Sequence, residues 1–341
     1  MSKARIAIAG ATGTVGREIL RLLQDRSCVE GNPLLLASEN SQDEEILFHG
    51  LEVPVINIKD FDFAKADVVL FATPADVSSA YIPKALEANT FVIDASGCYK
   101  GEDDVPAILP DVNGQLLKKS FETKRLVTSP GAAAAPLAMV LGRLSDKVKI
   151  NKVVTTAMVP VSLAGKSAMD ELYAQSVALL GGAGAGGVTY ENFPMQVAFN
   201  LLPQVGVFEK DARTTAEREL VEDMRDVLNV PELDVEATCV YVPTFVGVSQ
   251  SVYVEFDGEM TPQAAQRLFE GSPGITLLDK PDEQAYSTPF GAAEMDHVFV
   301  SRVRGGQSKK ALNLWVVADN LRRGSALNMV DITEYLSQNI L

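Results

Sequence analysis

The heptapeptide Gly10-Ala11-Thr12-Gly13-Thr14-Val15-Gly16 constrains this chain more than any other stretch. It lies between the apolar run Ile6-Ala7-Ile8-Ala9 and a segment, Arg17 to Gln24, with helical periodicity at Ile19, Leu20, Leu22 and Leu23. A buried strand, a glycine turn and a helix in that order form the first unit of a dinucleotide-binding α/β fold. The glycines let backbone approach a pyrophosphate, which rests on the unpaired N–H groups of the helix N-terminus. Gly10, Thr12, Gly13, Thr14, Val15 and Gly16 are therefore the expected cofactor contacts. A tight turn with no ligand is the competing reading. The position directly after the first strand favours the nucleotide.

Leu34-Leu35-Leu36-Ala37-Ser38 reads as the second strand, whose end is where such a fold meets the adenosine ribose. Ser38 and Asn40 are the expected contacts there. Glu39 stands between them, with Asp43, Glu44 and Glu45 just beyond and no arginine in the segment to take a 2′-phosphate. Acidic surroundings make NAD electrostatically easier than NADP; a solvated acidic loop without a ligand is an equal alternative. Further strands are expected at Asp67–Ala72, Phe91–Asp94 and Arg125–Val127, with a helix from about Ser78 to Ala88. This alternation predicts a parallel, doubly wound sheet. Two polar stretches, Asp94-Ala95-Ser96-Gly97-Cys98-Tyr99-Lys100 and Pro110-Asp111-Val112-Asn113, follow its later strands, where ligands gather.

The pattern changes after Thr128-Ser129-Pro130-Gly131-Ala132-Ala133-Ala134-Ala135-Pro136, where a strand breaks and an alanine-rich helix begins. The first turn of a helix attracts anions and activates thiols. Here it offers only methyl groups. Beyond it come a β-rich run at Lys152–Val159, helices at Ala168–Leu180 and Glu217–Leu228, and strands at Glu236–Phe245, Gln250–Phe256, His297–Val303 and Ala311–Val317. The glycine run Gly181–Gly187 opens no helix and is expected to be a flexible loop rather than a phosphate cradle. The expected architecture is a Rossmann-type parallel sheet domain over 1–131, with 318–341 packing back on it, and an α+β domain with a largely antiparallel sheet over 132–317. A closing helix is expected at Leu327–Ser337.

Composition narrows the function classes. A net charge of −15 argues against nucleic acid and anionic membrane surfaces as partners. Met1 to Ala9 holds too short an apolar run for a signal peptide or a membrane span, and cytoplasmic localisation is expected. Three widely spaced cysteines, Cys28, Cys98 and Cys239, argue against a disulfide framework or a Cys-x-x-Cys metal site and suit a reducing compartment. The two histidines, His49 and His297, lie far apart and are expected to be surface or packing residues. No metal is expected.

Several of these stretches resemble the aspartate-semialdehyde dehydrogenase family: Gly10 to Gly16, Pro110 to Asn113, Ala198-Phe199-Asn200-Leu201-Leu202-Pro203-Gln204 and Leu312 to Gly324. The resemblance spans nearly the whole chain. It implies a homodimer built by the second domain, and a nicotinamide cofactor held by the first loop and by Asp319-Asn320, so Asn320 joins the expected cofactor contacts. It also implies reduction of an acyl phosphate to an aldehyde with NADPH, through a cysteine nucleophile at a helix N-terminus that forms a thioester, with a histidine as acid/base. The matching positions depart from that pattern. Ala132 stands at the nucleophile position and Val248 at the acid/base position, within Val242-Pro243-Thr244-Phe245-Val246-Gly247-Val248-Ser249. Tyr241 replaces a substrate arginine, Val159 a supporting glutamine, and Asn40 the arginine for the 2′-phosphate. Lys100 replaces a phosphate-gripping arginine without its bidentate fork. Glu217 matches a substrate-side glutamate. This pattern resembles the Usg-type branch of the family, which lacks the active-site cysteine.

Three expectations follow. The first is a catalytically silent relative that keeps the fold, the dimer and a site for NAD or NADP, and binds an unknown small-molecule ligand. The second is an oxidoreductase of altered chemistry using the same pocket, with Cys98 as the best candidate nucleophile; a small packed residue is the stronger reading of Cys98. The third is an interaction protein that no longer binds nucleotide. Ser129 and Ser162 lack an adjacent histidine to activate them.

Overall fold

A computed structural model describes residues 3–41, 44–182 and 188–341. Asp43 and residues 183–187 of the glycine run lie outside the described residues. The chain forms two compact units, one of Met1–Gly131 with Ser325–Leu341 and the other of Ala132–Gly324. The segment 318–324 therefore groups with the second unit, and the return to the first begins at Ser325.

The first unit is built on strands β1 (Ile6–Ala9), β2 (Leu34–Ala37), β3 (Glu45–Phe48), β4 (Leu51–Asn57), β5 (Val68–Phe71), β6 (Phe91–Asp94) and β7 (Leu126–Thr128). Their spatial order is β3-β4-β2-β1-β5-β6-β7. Every neighbouring pair is parallel except β3 and β4. The expected parallel sheet is present, with one antiparallel hairpin at its edge. A hairpin closes there through His49 and Gly50, both at positive φ (49° and 77°), as a tight two-residue turn requires. Its strands are half exposed, so they carry little hydrophobic signal.

Alternate β1 residues feed two cores. Ile6 and Ile8 pack with Ile19 and Leu23 of α1 (Thr14–Leu23) and with Leu327 and Val330 of the closing helix. Ala7 and Ala9 face Ile82 and Ala85 of α2 (Ala75–Glu87). A strand with both faces buried reads as a continuous apolar run, which is why β1 and β5 are uninterrupted. Two short helices, α3 (Pro110–Asn113) and α4 (Leu116–Glu122), precede β7.

The second unit opens with α5 (Ala134–Ser145), in which every residue from Ala134 to Gly142 is buried. It continues through β8 (Ile150–Pro160), α6 (Lys166–Leu180), α7 (Thr215–Val227), β9 (Asp234–Val242) and β10 (Val248–Phe256). After these come α8 (Pro262–Phe269), β11 (Ile275–Leu277), α9 (Pro289–Ala292), β12 (Val298–Gly305) and β13 (Ala311–Ala318). The sheet runs β11-β12-β13-β10-β8-β9. The inner pairs are antiparallel, and the outermost pair on each side is parallel. Helix α5 packs on α7, α8, β12 and β13, which explains its lack of a polar face. The last helix, α10 (Leu327–Asn339), belongs to the first unit.

Candidate functional site

Helix α1 begins at Thr14, three residues earlier than the periodicity predicts, so Thr14, Val15 and Gly16 form its first turn. Residue Gly13 caps it without any side-chain hydrogen bond. The first N–H groups of a helix have no partner within the helix, and here the cap residue supplies none. Close approach explains the outer glycines. A Cβ on Gly10 would lie 2.4 Å from the Ala72 carbonyl oxygen, and one on Gly16 only 2.1 Å from the Gly10 carbonyl oxygen. Gly10 is also at φ +84°. These residues fit a pyrophosphate: bare backbone, a helix N-terminus and no carboxylate inside the turn.

At the end of β2, Ser38, Glu39 and Asn40 are exposed on a 3₁₀ turn. The expected all-acidic setting is corrected by two cations from elsewhere in the chain. Lys59 Nζ lies 3.1 Å from Glu39 Oε2. Arg17 donates to the Thr12 carbonyl at 3.0 Å and reaches Glu44 Oε2 at 3.1 Å. The Glu39 hydrogen bond raises the Lys59 pKa. Only the fold brings these bases to the β2 end.

Beyond β6, Asp94 is fully buried. Its Oδ1 accepts from the Ser96 backbone N–H at 2.9 Å and from Ser96 Oγ at 2.6 Å. The Cys98 thiol lies 3.7 Å from Asp94 Oδ2 and accepts from Ser96 Oγ at 3.2 Å. Burial, opposed in part by Ser96 and reinforced by Asp94, raises the Cys98 pKa. A nucleophilic cysteine needs the opposite shift. Lys100 sits at the end of the same turn, its N–H bonded to the Gly97 carbonyl.

In the second unit, residues expected at reactive positions lie at one end of the sheet. Ala132 and Ala133 form the turn into α5, and Ala133 caps that helix without a side-chain hydrogen bond. Gln250 of β10 ties the turn down by donating to the Ala133 carbonyl at 2.7 Å while accepting from Thr155 Oγ1 at 3.1 Å. Val248 shares the Gln250 face of β10, two residues away, and is 1% exposed. On the adjoining strands Val159 is paired with Tyr241, and Met158 with Ser249. Gly324 closes against the same turn, where a Cβ would stand 2.7 Å from the Ala132 carbonyl oxygen. Gln250 and Gly324 were not expected site residues. Neither has a local sequence signal, because each acts on a segment more than a hundred residues away.

Other expected residues take structural roles. The buried ring of Tyr241 packs edge-on to Phe193 at 5.1 Å, and burial pushes its pKa up to about 12. Glu217 belongs to a reciprocal helix cap: Thr214 Oγ1 accepts from its N–H, and its Oε2 accepts from the Thr214 N–H. Its Oε1 accepts from the Cys239 N–H at 3.0 Å. Burial, then the charges of Glu217 and Glu219, push the Cys239 pKa up to about 12. Asn320 is buried, accepting from the Gly247 N–H at 2.9 Å and donating to Ser162 Oγ at 3.0 Å. His49 and His297 are both exposed, on a turn and beside Thr276 respectively. Among the described residues no group of three metal-ligating side chains converges.

Comparison with known proteins agrees with this geometry. Residues 5–120 match the family model "Semialdehyde dehydrogenase, NAD binding domain", and residues 141–323 match "Semialdehyde dehydrogenase, dimerisation domain". An aspartate-semialdehyde dehydrogenase of Rickettsia bellii is 36% identical, covering 99% of each chain. A USG-1 protein homolog of Azotobacter vinelandii is 38% identical, covering 97% of each. The crystal structure of aspartate semialdehyde dehydrogenase II of Vibrio cholerae complexed with ASA superposes with a TM-score of 0.95 at 33% identity, covering the whole of both chains. The chain belongs to the aspartate-semialdehyde dehydrogenase family, with its nucleotide-binding α/β domain and its dimerisation domain.

Proposed function

We propose that this protein is a binding relative of the aspartate-semialdehyde dehydrogenases that does not carry out their acyl-phosphate/aldehyde interconversion. The observation that carries the reading is Ala132 at the entrance to α5, with Val248, Val159 and Tyr241 at the adjoining sheet end. A methyl group forms no thioester, and a valine transfers no proton. When members of a cooperating set are lost together, little rate remains to be recovered by restoring one. What persists is the backbone: uncapped N–H groups at the starts of α1 and α5, suited to phosphate and carboxylate.

Gly10, Gly13, Gly16 and the first turn of α1 would hold the pyrophosphate of NAD or NADP, with Ser38 and Asn40 at the ribose end. A bound nicotinamide supplies hydride chemistry, for which this chain provides no covalent acceptor at Ala132. The raised Cys98 pKa and its contact with the Asp94 carboxylate count against altered chemistry through that thiol. A homodimer formed by the second unit is supported by the matched dimerisation domain and by exposed apolar residues. Among the described residues all large exposed hydrophobics except Leu47, Leu51 and Leu341 lie there. The free Cys28, Cys98 and Cys239 suit a reducing cytoplasm, and no described helix is long and apolar enough to cross a membrane.

Two measurements test the proposal. Calorimetry with NAD and with NADP is expected to give binding of at least one, and binding of neither would favour an interaction protein without a nucleotide site. Phosphate-dependent reduction of either cofactor by aspartate semialdehyde is expected to be absent in the native protein and in Ala132→Cys. Sustained turnover by the native protein would refute the silent reading.

A further inference from the structure

Away from these residues, the second unit has a cavity of about 310 Å³ whose lining includes Ser251, Tyr286, Thr288, Arg302, Arg304 and Trp315. It is built around an irregularity. Ser301 pairs with Trp315 but Arg304 pairs with Asn313, so three steps along β12 oppose two along β13. The extra residue makes a β-bulge, a device that re-aims side chains and recurs beside functional sites. Arg302 sits in it at φ +54°, a left-handed conformation uncommon for a side-chain-bearing residue. The Asp279 carboxylate holds it there, accepting from the Arg302 N–H at 2.8 Å and from the Val303 N–H at 2.9 Å.

This arrangement brings two guanidinium groups to a cavity where neither meets a carboxylate. Arg304 donates only to the Arg302 carbonyl, at 2.9 Å, and the Arg302 side chain has no partner among the described residues. That is notable in a chain with 45 acidic and 30 basic side chains. Trp315 spends its N–H on the Ser287 carbonyl at 3.0 Å, so its ring offers only apolar surface. Ser251, its registered neighbour on β10, adds a hydroxyl.

We propose that this cavity is a binding site for a small molecule that carries a phosphate or carboxylate on a planar ring. Arg302 and Arg304 take the oxyanion in forked hydrogen bonds, and the ring lies against Trp315 and Tyr286. The volume is at the low end of ligand sites and suits a ligand of one ring and one oxyanion.

Trp315 is the only tryptophan in the chain, so its fluorescence reports on this cavity directly. Titration of the full chain with phenyl phosphate and with benzoate is expected to give a saturable change with at least one of them. The stronger response identifies the oxyanion. Inorganic phosphate is expected to bind at least tenfold more weakly than phenyl phosphate if the ring contributes. Arg302→Gln and Arg304→Gln are each expected to weaken binding by tenfold or more while leaving thermal unfolding of the unliganded protein unchanged. No saturable change with either ring compound, or equal affinity in native protein and both variants, would overturn the proposal. So would a fall in light-scattering mass of the variants without any ligand response in the native protein, because that result assigns the arginines to a contact between copies of the chain.

Discussion

Single atoms decide the chemistry available at this site. The Cys98 thiol is raised above the ordinary range by burial and by the buried Asp94 carboxylate, so it stays protonated at neutral pH. Alkylation of Cys98, followed by mass spectrometry across a pH series, is expected to have its midpoint above that of a free thiol. Asp94→Asn removes one of the raising influences and is expected to move the midpoint down; a Cys98 that reacts fully at pH 7 would revive it as a nucleophile. Gly16 makes the opposite point, that the absence of an atom shapes the turn. With a Cβ only 2.1 Å from the Gly10 carbonyl oxygen, Gly16→Ala forces the turn open. The expected cost is about 1–3 kcal/mol in urea denaturation, with loss of nucleotide binding in calorimetry on the folded variant. The glycine spacing was legible in sequence, but which atom each glycine makes room for was not.

Elements hold the second-unit positions together through long-range polar ties. Gln250 joins β10 to the turn into α5 and to Thr155 of β8. Gln250→Leu keeps the volume but strips partners from a half-buried carbonyl and a buried hydroxyl, and is expected to cost about 1–3 kcal/mol by chemical denaturation. The Glu217 carboxylate bonds backbone N–H groups of Thr214 and Cys239. Glu217→Ala leaves the Thr214 cap but takes the acceptor from the Thr214 and Cys239 N–H groups, and is expected to destabilise by about 1–3 kcal/mol. Helix and strand periodicity located α5, α7, β8 and β10 within a few residues. The hairpin of β3 and β4 leaves no clear pattern in the sequence, because Leu47 and Leu51 face solvent and blur the alternation.

At the scale of the whole molecule, the exposed apolar surface is unevenly shared. Tyr173, Val177 and Leu180 form one exposed stripe on α6, and Phe199, Leu201, Val207 and Phe208 are exposed in the segment that follows. Exposed apolar residues in such number mark an interaction surface. Light scattering is expected to give twice the 36.6 kDa chain mass. Val177→Asp with Leu180→Asp, which buries charge in any such contact, is expected to shift the mass toward one chain. A native monomer at micromolar concentration would set the dimer aside.

By itself the sequence determined the α/β class, the glycine turn after β1 and the alanine entrance to α5, since these depend on residue identity and short-range periodicity; the departures at Ala132 and Val248 are what the family resemblance implies. The tertiary structure alone decided which distant groups meet. It brought Lys59 and Arg17 to the end of β2, aligned Val159 with Tyr241, seated Gly324 on Ala132, and turned Arg302 through a bulge toward Trp315. Each of those contacts depends on strand register or chain packing, and register is set by pairings between segments that no local pattern specifies.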